Sequence, residues 1–376
     1  MHTSRRRIVY RQKTMTLRSV ALKVHLYLGL VAALFLAILG LTGTVMAFEG
    51  DMNHWLHPDL WYVTPGSRVL PENDLISIVQ HQFPRARVFA VYFPRAANLV
   101  QLMQLTDGTR VYVNPYDGAV LGNQVGLTNS DYALGYVHQI HLRLVPDPRL
   151  TPRLAVVGKT FVSFVGLALC LMVPTGVILW WRRKSMSVNW KGTWFRVFFD
   201  LHQLTGIYAA FFLLIASATG IMIGFTFMEH VFYGVTLSSP PSPPQSWPSL
   251  PVAGASPIMA DEVLDIARRA MPDATVAMLV RPLRTVGSYT VMMRVPEETS
   301  ETVHSSIVID QFSGKILGLR NFKNESAGYR LIRFNRSIHT GDIFGLPTHI
   351  LVSLSSFLLV VMVITGVVTW WKKLVT

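Results

Sequence analysis

Residues 175–182 read TGVILWWR and residues 365–372 read TGVVTWWK, and each stretch ends a long apolar run of the chain. Tandem tryptophans followed by a basic residue are typical of a helix that ends where a membrane meets water. Two other apolar runs also agree at their beginnings, where residues 25–29 read HLYLG and residues 202–206 read HQLTG, and a Thr-Gly pair follows seventeen residues after each histidine. The sequence therefore predicts two pairs of membrane helices that are two copies of one half.

The composition agrees with a membrane protein. The chain has 376 residues, of which 51% are hydrophobic and 15% are charged. A helix needs about 20 mostly apolar residues to cross a bilayer core of roughly 30 Å. Four segments meet this requirement, and we predict a four-helix transmembrane bundle with spans at residues 25–48, 151–181, 197–228 and 346–371.

The positive charge is concentrated between and beside these spans. The formal net charge is +13. Basic residues cluster in a tail (1–24), a loop (182–196) and a short end (372–376), and the acid nearest to the loop is Asp200. Basic loops stay in the cytoplasm. We therefore expect a multi-pass protein of the bacterial inner membrane, with both termini cytoplasmic and residues 49–150 and 229–345 in the periplasm. Basic runs that abut membrane helices do not indicate a nucleic-acid partner.

The two outer segments repeat each other as well. Residues 74–83 and 261–271 read as short amphipathic helices that each stop at a proline. Extended runs then enter tight turns at residues 111–118 and 307–314. Each outer segment is thus predicted to form a small α+β domain, the second one preceded by a Pro/Ser-rich linker at residues 238–257.

These motifs together resemble the PepSY-associated transmembrane helix family. The resemblance is carried by the two histidine helix openings, the two TGxxxWW helix ends, the two PepSY-like strand-turn units and the run IHTGDIFG at residues 338–345, and it covers nearly the whole chain. The family includes inner-membrane dihaem reductases of ferric siderophores, and also members with no assigned role. The resemblance implies that a ferric siderophore or ferric chelate is reduced on the periplasmic side.

Two histidines lie at the predicted cytoplasmic ends of helices. Each of them, His25 and His202, is followed one helical turn later by a glycine, Gly29 or Gly206, on the same helix face. Such a glycine leaves room for a flat macrocycle, and imidazole is a normal ligand of haem iron. We predict that His25 and His202 bind a b-type haem. A proton relay, an interfacial histidine or plain packing are the alternatives.

A second haem is predicted at the outer end. Alignment of the two halves pairs His141 with His339, and both precede a membrane span. We predict that these two histidines are its iron ligands, with His138 as the competing ligand one turn from His141. His349 breaks the repeat and is interpreted as a packing residue or a neighbour of a haem propionate. A bare metal held by His138, His141 and His339 is a further alternative.

The sequence therefore predicts an electron-transfer protein in which two b-type haems carry an electron from the cytoplasmic side to a ferric substrate outside. No side chain is assigned a catalytic role, since the iron does the chemistry. The cytoplasmic loop is too short for a nicotinamide or flavin domain, so the electron donor is a membrane quinol or another reductase. The single cysteine, Cys170, excludes thiolate iron–sulfur clusters and Cys-x-x-Cys-His haem attachment. The alternative function is a non-enzymatic PepSY-type protein that senses a ligand, binds a partner or regulates a protease.

Overall fold

A computed structural model describes residues 16–125, 132–240, 248–251, 254–296, 298 and 303–375. Its helices are α1 (Leu17–Met46), α2 (Glu49–Leu56), α3 (Pro58–Trp61), α4 (Glu72–Gln82), α5 (Tyr132–Arg143), α6 (Pro152–Trp181), α7 (Trp194–Gly224), α8 (Met228–Val235), α9 (Ala260–Ala270), α10 (Ala327–Thr340) and α11 (Leu346–Val375). Its strands are β1 (Val88–Tyr92), β2 (Gln101–Leu105), β3 (Thr109–Val113), β4 (Val120–Val125), β5 (Thr275–Val280), β6 (Ser288–Arg294), β7 (Ser305–Asp310) and β8 (Ile316–Arg320). Most of the predicted basic tail and parts of the linker at residues 238–257 lie outside the described residues.

Four of these helices, α1, α6, α7 and α11, are long and apolar enough to cross a membrane, which confirms the predicted multi-pass bundle. Their ends differ from the predicted ones by up to eight residues, and at two of the starts a capping side chain fixes the first helical residue. Thr16 accepts a hydrogen bond from the backbone of Ser19, so α1 begins at Leu17 instead of residue 25. Thr193 likewise caps α7, which begins at Trp194 and ends at Gly224 instead of residue 228.

The four membrane helices pack in the cyclic order α1, α6, α7, α11, so that α1 and α7 occupy opposite corners. A layer of buried apolar residues fills the middle of the bundle, with Leu36, Leu169, Leu213 and Leu359 each at most 8% exposed. Side chains that project inward from the opposite corners α1 and α7 can meet inside the bundle.

The strands form one antiparallel sheet in the order β4-β3-β2-β1-β5-β6-β7-β8. The helices α4 and α9 cover one face, and their Leu75 and Leu264 belong to the same core as Val91 and Leu279 of the central strands. The amphipathic helices and the strand-turn units thus lie where the sequence predicts them. The sheet itself differs from the expectation of two separate small domains.

The two predicted domains share this sheet because β1 pairs with β5, with Ala90 opposite Val280 and Tyr92 opposite Met278. A four-stranded sheet on its own would leave each of these strands as an unpaired edge, and the pairing satisfies both edges at once. The sequence could not indicate this contact, since an edge strand and a central strand of an antiparallel sheet show the same alternation of apolar and polar side chains.

Polar side chains connect the two halves next to this seam. The carboxylate of Asp261 in α9 accepts hydrogen bonds from the backbone N–H groups of Glu72 and Asn73 at the start of α4, at 2.7 and 3.0 Å. In return, the side chain of Asn73 accepts one from the backbone of Ala260 at 3.0 Å. The Glu72 carboxyl group lies beside them, 4% exposed, and both its oxygens accept from Gln101 at 2.8 Å. Burial, opposed by the Gln101 hydrogen bond, raises the pKa of Glu72 to about 7.

Two short helices join the sheet to the bundle. The helix α5 follows β4 and packs on α1 and α6, and α10 follows β8 and packs on α7, α8 and α11. The sequence places these residues within the two outer domains, but both helices lie against the membrane helices. They bring the outer histidines into contact with the bundle.

Candidate functional site

The bundle contains a first histidine pair near its basic end. His25 projects from α1 and His202 from α7, which occupy opposite corners, and their ring centroids lie 6.2 Å apart. Both rings are partly buried between the helices and retain some accessible surface. We call these two residues the inner pair.

Hydrogen bonds fix the orientation of both rings. Nδ1 of His25 lies 3.0 Å from the carbonyl oxygen of Met172 in α6, and Nδ1 of His202 lies 2.9 Å from that of Met362 in α11. A carbonyl oxygen only accepts, so Nδ1 carries the proton in both rings. The other ring nitrogen, Nε2, therefore holds the lone pair that a metal ion binds, and this is the usual arrangement of a metal-ligating histidine.

A second pair lies at the sheet-bearing end. His141 of α5 and His339 of α10 have ring centroids 6.4 Å apart. Nδ1 of His141 lies 2.9 Å from Oγ1 of Thr42, and Nδ1 of His339 lies 2.8 Å from Oγ1 of Thr219. The structure thus brings together the two histidines that the alignment of the halves selects, and we call them the outer pair.

Each of the four histidines rests on a Thr-Gly pair of a neighbouring helix. A Cβ added to the glycine would lie 3.1–3.2 Å from Cε1 of the ring in all four cases, which are Gly176 with His25, Gly366 with His202, Gly43 with His141 and Gly220 with His339. This distance is closer than ordinary van der Waals contact. The glycines therefore create the space that the imidazoles occupy, and the adjacent threonine oxygens lie within hydrogen-bond distance of Nδ1.

This contact is not predicted from the sequence, because the Thr-Gly pairs serve there only as markers of the repeat. Their recurrence in all four spans is the feature of the sequence that indicates it. The predicted glycines lie elsewhere in the site, since a Cβ at Gly29 would be 3.2 Å from the methyl group of Met172, and one at Gly206 would be 3.4 Å from that of Met362. A role for Gly29 and Gly206 beside a macrocycle stays a prediction.

The competing histidines have carboxylate partners instead. Nδ1 of His138 lies 2.7 Å from Oε2 of Glu49 at the start of α2. Nε2 of His349 lies 2.6 Å from Oδ1 of Asp342, so this nitrogen already has a hydrogen-bond partner. Among the described residues, no group of three or more His, Cys, Asp or Glu side chains is arranged to hold a metal ion. The three-histidine alternative at the outer end therefore finds no support in the geometry.

The spacing within each pair suits one metal ion between two rings. A metal–imidazole nitrogen bond is about 2 Å long, so two imidazoles on opposite sides of one ion have centroids about 6 Å apart. The observed separations are 6.2 and 6.4 Å. With Nε2 free, a glycine behind each ring and accessible surface beside it, the four residues are chemically suited to hold the irons of two haems.

The two pairs lie at different depths of the bundle. Thr42, which contacts the outer pair, follows His25 by seventeen residues in α1, and at about 1.5 Å per residue this corresponds to roughly 25 Å along the helix. The buried apolar layer around Leu36 and Leu213 lies between the pairs. Two separate sites are therefore stacked across the apolar part of the bundle.

The fold and the site together define a multi-pass membrane protein with two stacked histidine pairs, the inner pair on α1 and α7 and the outer pair on α5 and α10. A family model described as the PepSY-associated TM region matches residues 22–373, and the chain belongs to this family. No curated protein matches the chain.

Proposed function

We propose that this chain is a b-type dihaem electron-transfer protein of the bacterial inner membrane that reduces ferric iron, bound in a siderophore or another chelate, on the periplasmic side. The observation that carries the proposal is the fourfold repetition of one arrangement: an imidazole with Nδ1 held, Nε2 free and a glycine at its edge. A sensor or binding protein has no need of such an arrangement.

The side chains would act by holding and orienting. A bound haem supplies a one-electron carrier at each depth. The carbonyl groups of Met172 and Met362 and the hydroxyl groups of Thr42 and Thr219 fix the four imidazoles through Nδ1, which leaves Nε2 available to bind an iron. The apolar layer around Leu36 and Leu213 keeps water out of the region between the two sites.

The outer pair is the one that an external substrate would approach. Its two histidines come from α5 and α10, the helices that directly follow the strands of the sheet. A ferric chelate is too large and polar to enter a bilayer, so it would receive its electron at this end. The orientation rests on the basic residues of the opposite end, including Arg182, Arg183 and Lys372, which favour a cytoplasmic location for that end.

An absorption spectrum with haem quantitation tests the proposal. Protein purified from haem-replete cells is expected to show a Soret band and two haems per chain. The variants His25→Ala and His202→Ala should each lose about half of the haem, the inner one, and remain inserted in the membrane. A colourless but stably folded protein would contradict the proposal and favour the non-enzymatic alternative, in which the sheet binds a ligand or a protein partner.

A further inference from the structure

A groove of about 180 Å³ lies between α7, α8 and α10, beside the outer pair. Its walls are apolar side chains from the three helices: Ile215, Ala218, Met222, Phe232, Leu331 and Ile338. Two polar residues, Thr219 and Asn335, complete the lining. A groove of this composition takes an apolar ligand that carries a hydrogen-bonding group at one place.

The side chain of Asn335 provides that place. It is 6% exposed, and its Nδ2 donates a hydrogen bond to the backbone oxygen of Thr219 at 3.1 Å. Since a carbonyl oxygen only accepts, the amide nitrogen must face it, and this assigns the other atom as Oδ1. Oδ1 is buried and has no hydrogen-bond partner. A buried acceptor without a donor is costly, so this atom calls for a ligand with an O–H or N–H group.

The groove is directly connected to a haem ligand. Thr219 contributes its carbonyl oxygen to Asn335 and its hydroxyl oxygen to Nδ1 of His339. Asn335 also precedes His339 by one turn of α10, so both share one helix face. In the other half of the chain, the residue four positions before His141 is Val137, which has no polar group. The amide at this position therefore has no counterpart at the equivalent position of the other half, although α5 carries the buried amide of Gln139 two residues before His141.

We propose that the groove binds the head group of a membrane quinol and that this quinol is the electron donor of the chain, an inference that rests on the proposed function. The apolar walls would enclose the ring, and one quinol hydroxyl would donate to Oδ1 of Asn335. Sites that enclose a whole drug-sized ligand have volumes of about 300–1,000 Å³. The smaller groove holds a single ring and leaves the isoprenoid tail outside, among the lipid chains.

The stoichiometry accounts for the presence of two histidine pairs. Oxidation of one quinol to the quinone breaks its two O–H bonds and releases two protons and two electrons. The protons leave to water at the sheet-bearing end, and the electrons would go one to the outer pair site and, through it, one to the inner pair site. The donor then enters at the sheet-bearing end, in place of the cytoplasmic side that the sequence predicts. Each electron then reduces one Fe³⁺ to Fe²⁺. Two one-electron sites can accept both electrons of the donor before the acceptor removes them one at a time.

The test uses decylubiquinol as the donor and the purified full-length chain in detergent. Two variants alter the groove in different ways: Asn335→Leu removes the acceptor, and Ala218→Leu fills the space without touching Asn335. Val137→Leu is the matched control in the other half. Two quantities are measured for each protein: the rate at which decylubiquinol reduces the haem, and the rise in unfolding temperature that decylubiquinone produces.

We expect both groove variants to be reduced by decylubiquinol at least about tenfold more slowly and to lose the thermal shift, whereas dithionite reduces them fully and Val137→Leu behaves as the parent. Parental rates and shifts in both groove variants, as expected for a groove that only accommodates a lipid chain, would overturn the quinol site. A parent that contains haem but is not reduced by decylubiquinol would also overturn it and leave the proposed function intact. A parent without haem would overturn the proposed function, and the thermal shift would still decide whether Asn335 binds a quinone.

Discussion

Thr42 and His141 are 99 residues apart in the chain, yet Oγ1 of Thr42 lies 2.9 Å from Nδ1 of His141. The same hydroxyl group donates to the carbonyl oxygen of Ile38 at 2.7 Å, so its oxygen is left to accept from Nδ1–H. One threonine of a membrane helix therefore sets both the tautomer and the direction of an imidazole on another helix.

Removing this acceptor should weaken the outer site. We expect Thr42→Val to lower the affinity for the outer haem by about 10–100-fold, the usual effect of losing the partner of a metal-ligating histidine. Thr42→Ser keeps the hydroxyl group and is the matched control, with an affinity near that of the parent. Haem transfer to apomyoglobin measures both affinities. An equal loss in Ser and Val would mean that packing of the threonine methyl group, and not the hydrogen bond, is what matters.

The outer pair should control delivery of electrons to a ferric chelate. His141→Ala and His339→Ala are expected to abolish reduction of an external ferric chelate, while the inner haem is still reduced by dithionite. His138→Ala is the matched control, because Nδ1 of its ring lies 2.7 Å from Oε2 of Glu49. Chelate reduction is followed by trapping Fe²⁺ with ferrozine. Loss of the outer haem in His138→Ala together with its retention in His141→Ala would show that His138 is the ligand.

The glycines behind the rings provide a test that leaves every histidine in place. An added Cβ would lie 3.1 Å from His25 at Gly176 and 3.2 Å from His339 at Gly220. We expect Gly176→Ala to weaken haem binding at the inner site only, and Gly220→Ala at the outer site only, each by about tenfold, or about 1.4 kcal/mol.

The control for this pair is Gly166→Ala in α6. Its Cβ would meet Ile221 at 3.6 Å, which is ordinary contact, so this variant should bind both haems as the parent does. Difference spectra of the reduced proteins distinguish the two haems. Unchanged haem content in Gly176→Ala and Gly220→Ala would show that the rings tolerate displacement and that their close contact has no function.

The stability of the sheet should depend on pH through Glu72. Burial raises the pKa of its carboxyl group to about 7 in the folded chain, against an ordinary value of 4.5. The folded state then binds the proton more tightly than the unfolded state does. The stabilisation of the folded state by this proton is fully present below about pH 4.5, decreases as the pH rises towards 7, and is lost above that pH. The total change is about 3 kcal/mol.

Pulse proteolysis of the full chain in urea at pH 5 and pH 8 measures this dependence. Glu72→Gln keeps the size of the side chain and cannot ionise, so the difference between the two pH values should shrink, mainly because the variant gains stability at pH 8. If the variant and the parent lost the same stability between pH 5 and pH 8, another group would be responsible.

The orientation of the chain can be tested at its C-terminal end. The basic residues Lys372 and Lys373 predict that residue 376 faces the cytoplasm. Green fluorescent protein fused after this residue should fluoresce, and alkaline phosphatase at the same position should be inactive. A second pair of fusions after Gly66, in the sheet-bearing part, should give the opposite result. Active phosphatase at the C-terminus would reverse the assignment of the two sides.

The parts of this fold that could be predicted are those that local sequence determines. Each span is a continuous apolar run, and α4 and α9 have the period of an amphipathic helix. The alignment of the two halves also selects His141 and His339, because equivalent positions of a repeat occupy equivalent places. The contact of His25 with Thr175 could not be predicted, since these residues are 150 apart and only the packing order of the helices makes them neighbours. The pairing of β1 with β5 could not be predicted either, because the paired residues, such as Ala90 and Val280, are also far apart in the chain.

That seam between β1 and β5 has a mechanical consequence. Both halves of the chain enter the same sheet, and α5 and α10 anchor it to opposite sides of the bundle. The sheet therefore connects the two helix pairs outside the bundle. The reciprocal hydrogen bonds of Asp261 and Asn73 stabilise this connection. Transporters built from repeats move one half against the other. Here such a motion would break the hydrogen bonds between β1 and β5. The architecture therefore favours a scaffold whose two halves keep one fixed arrangement.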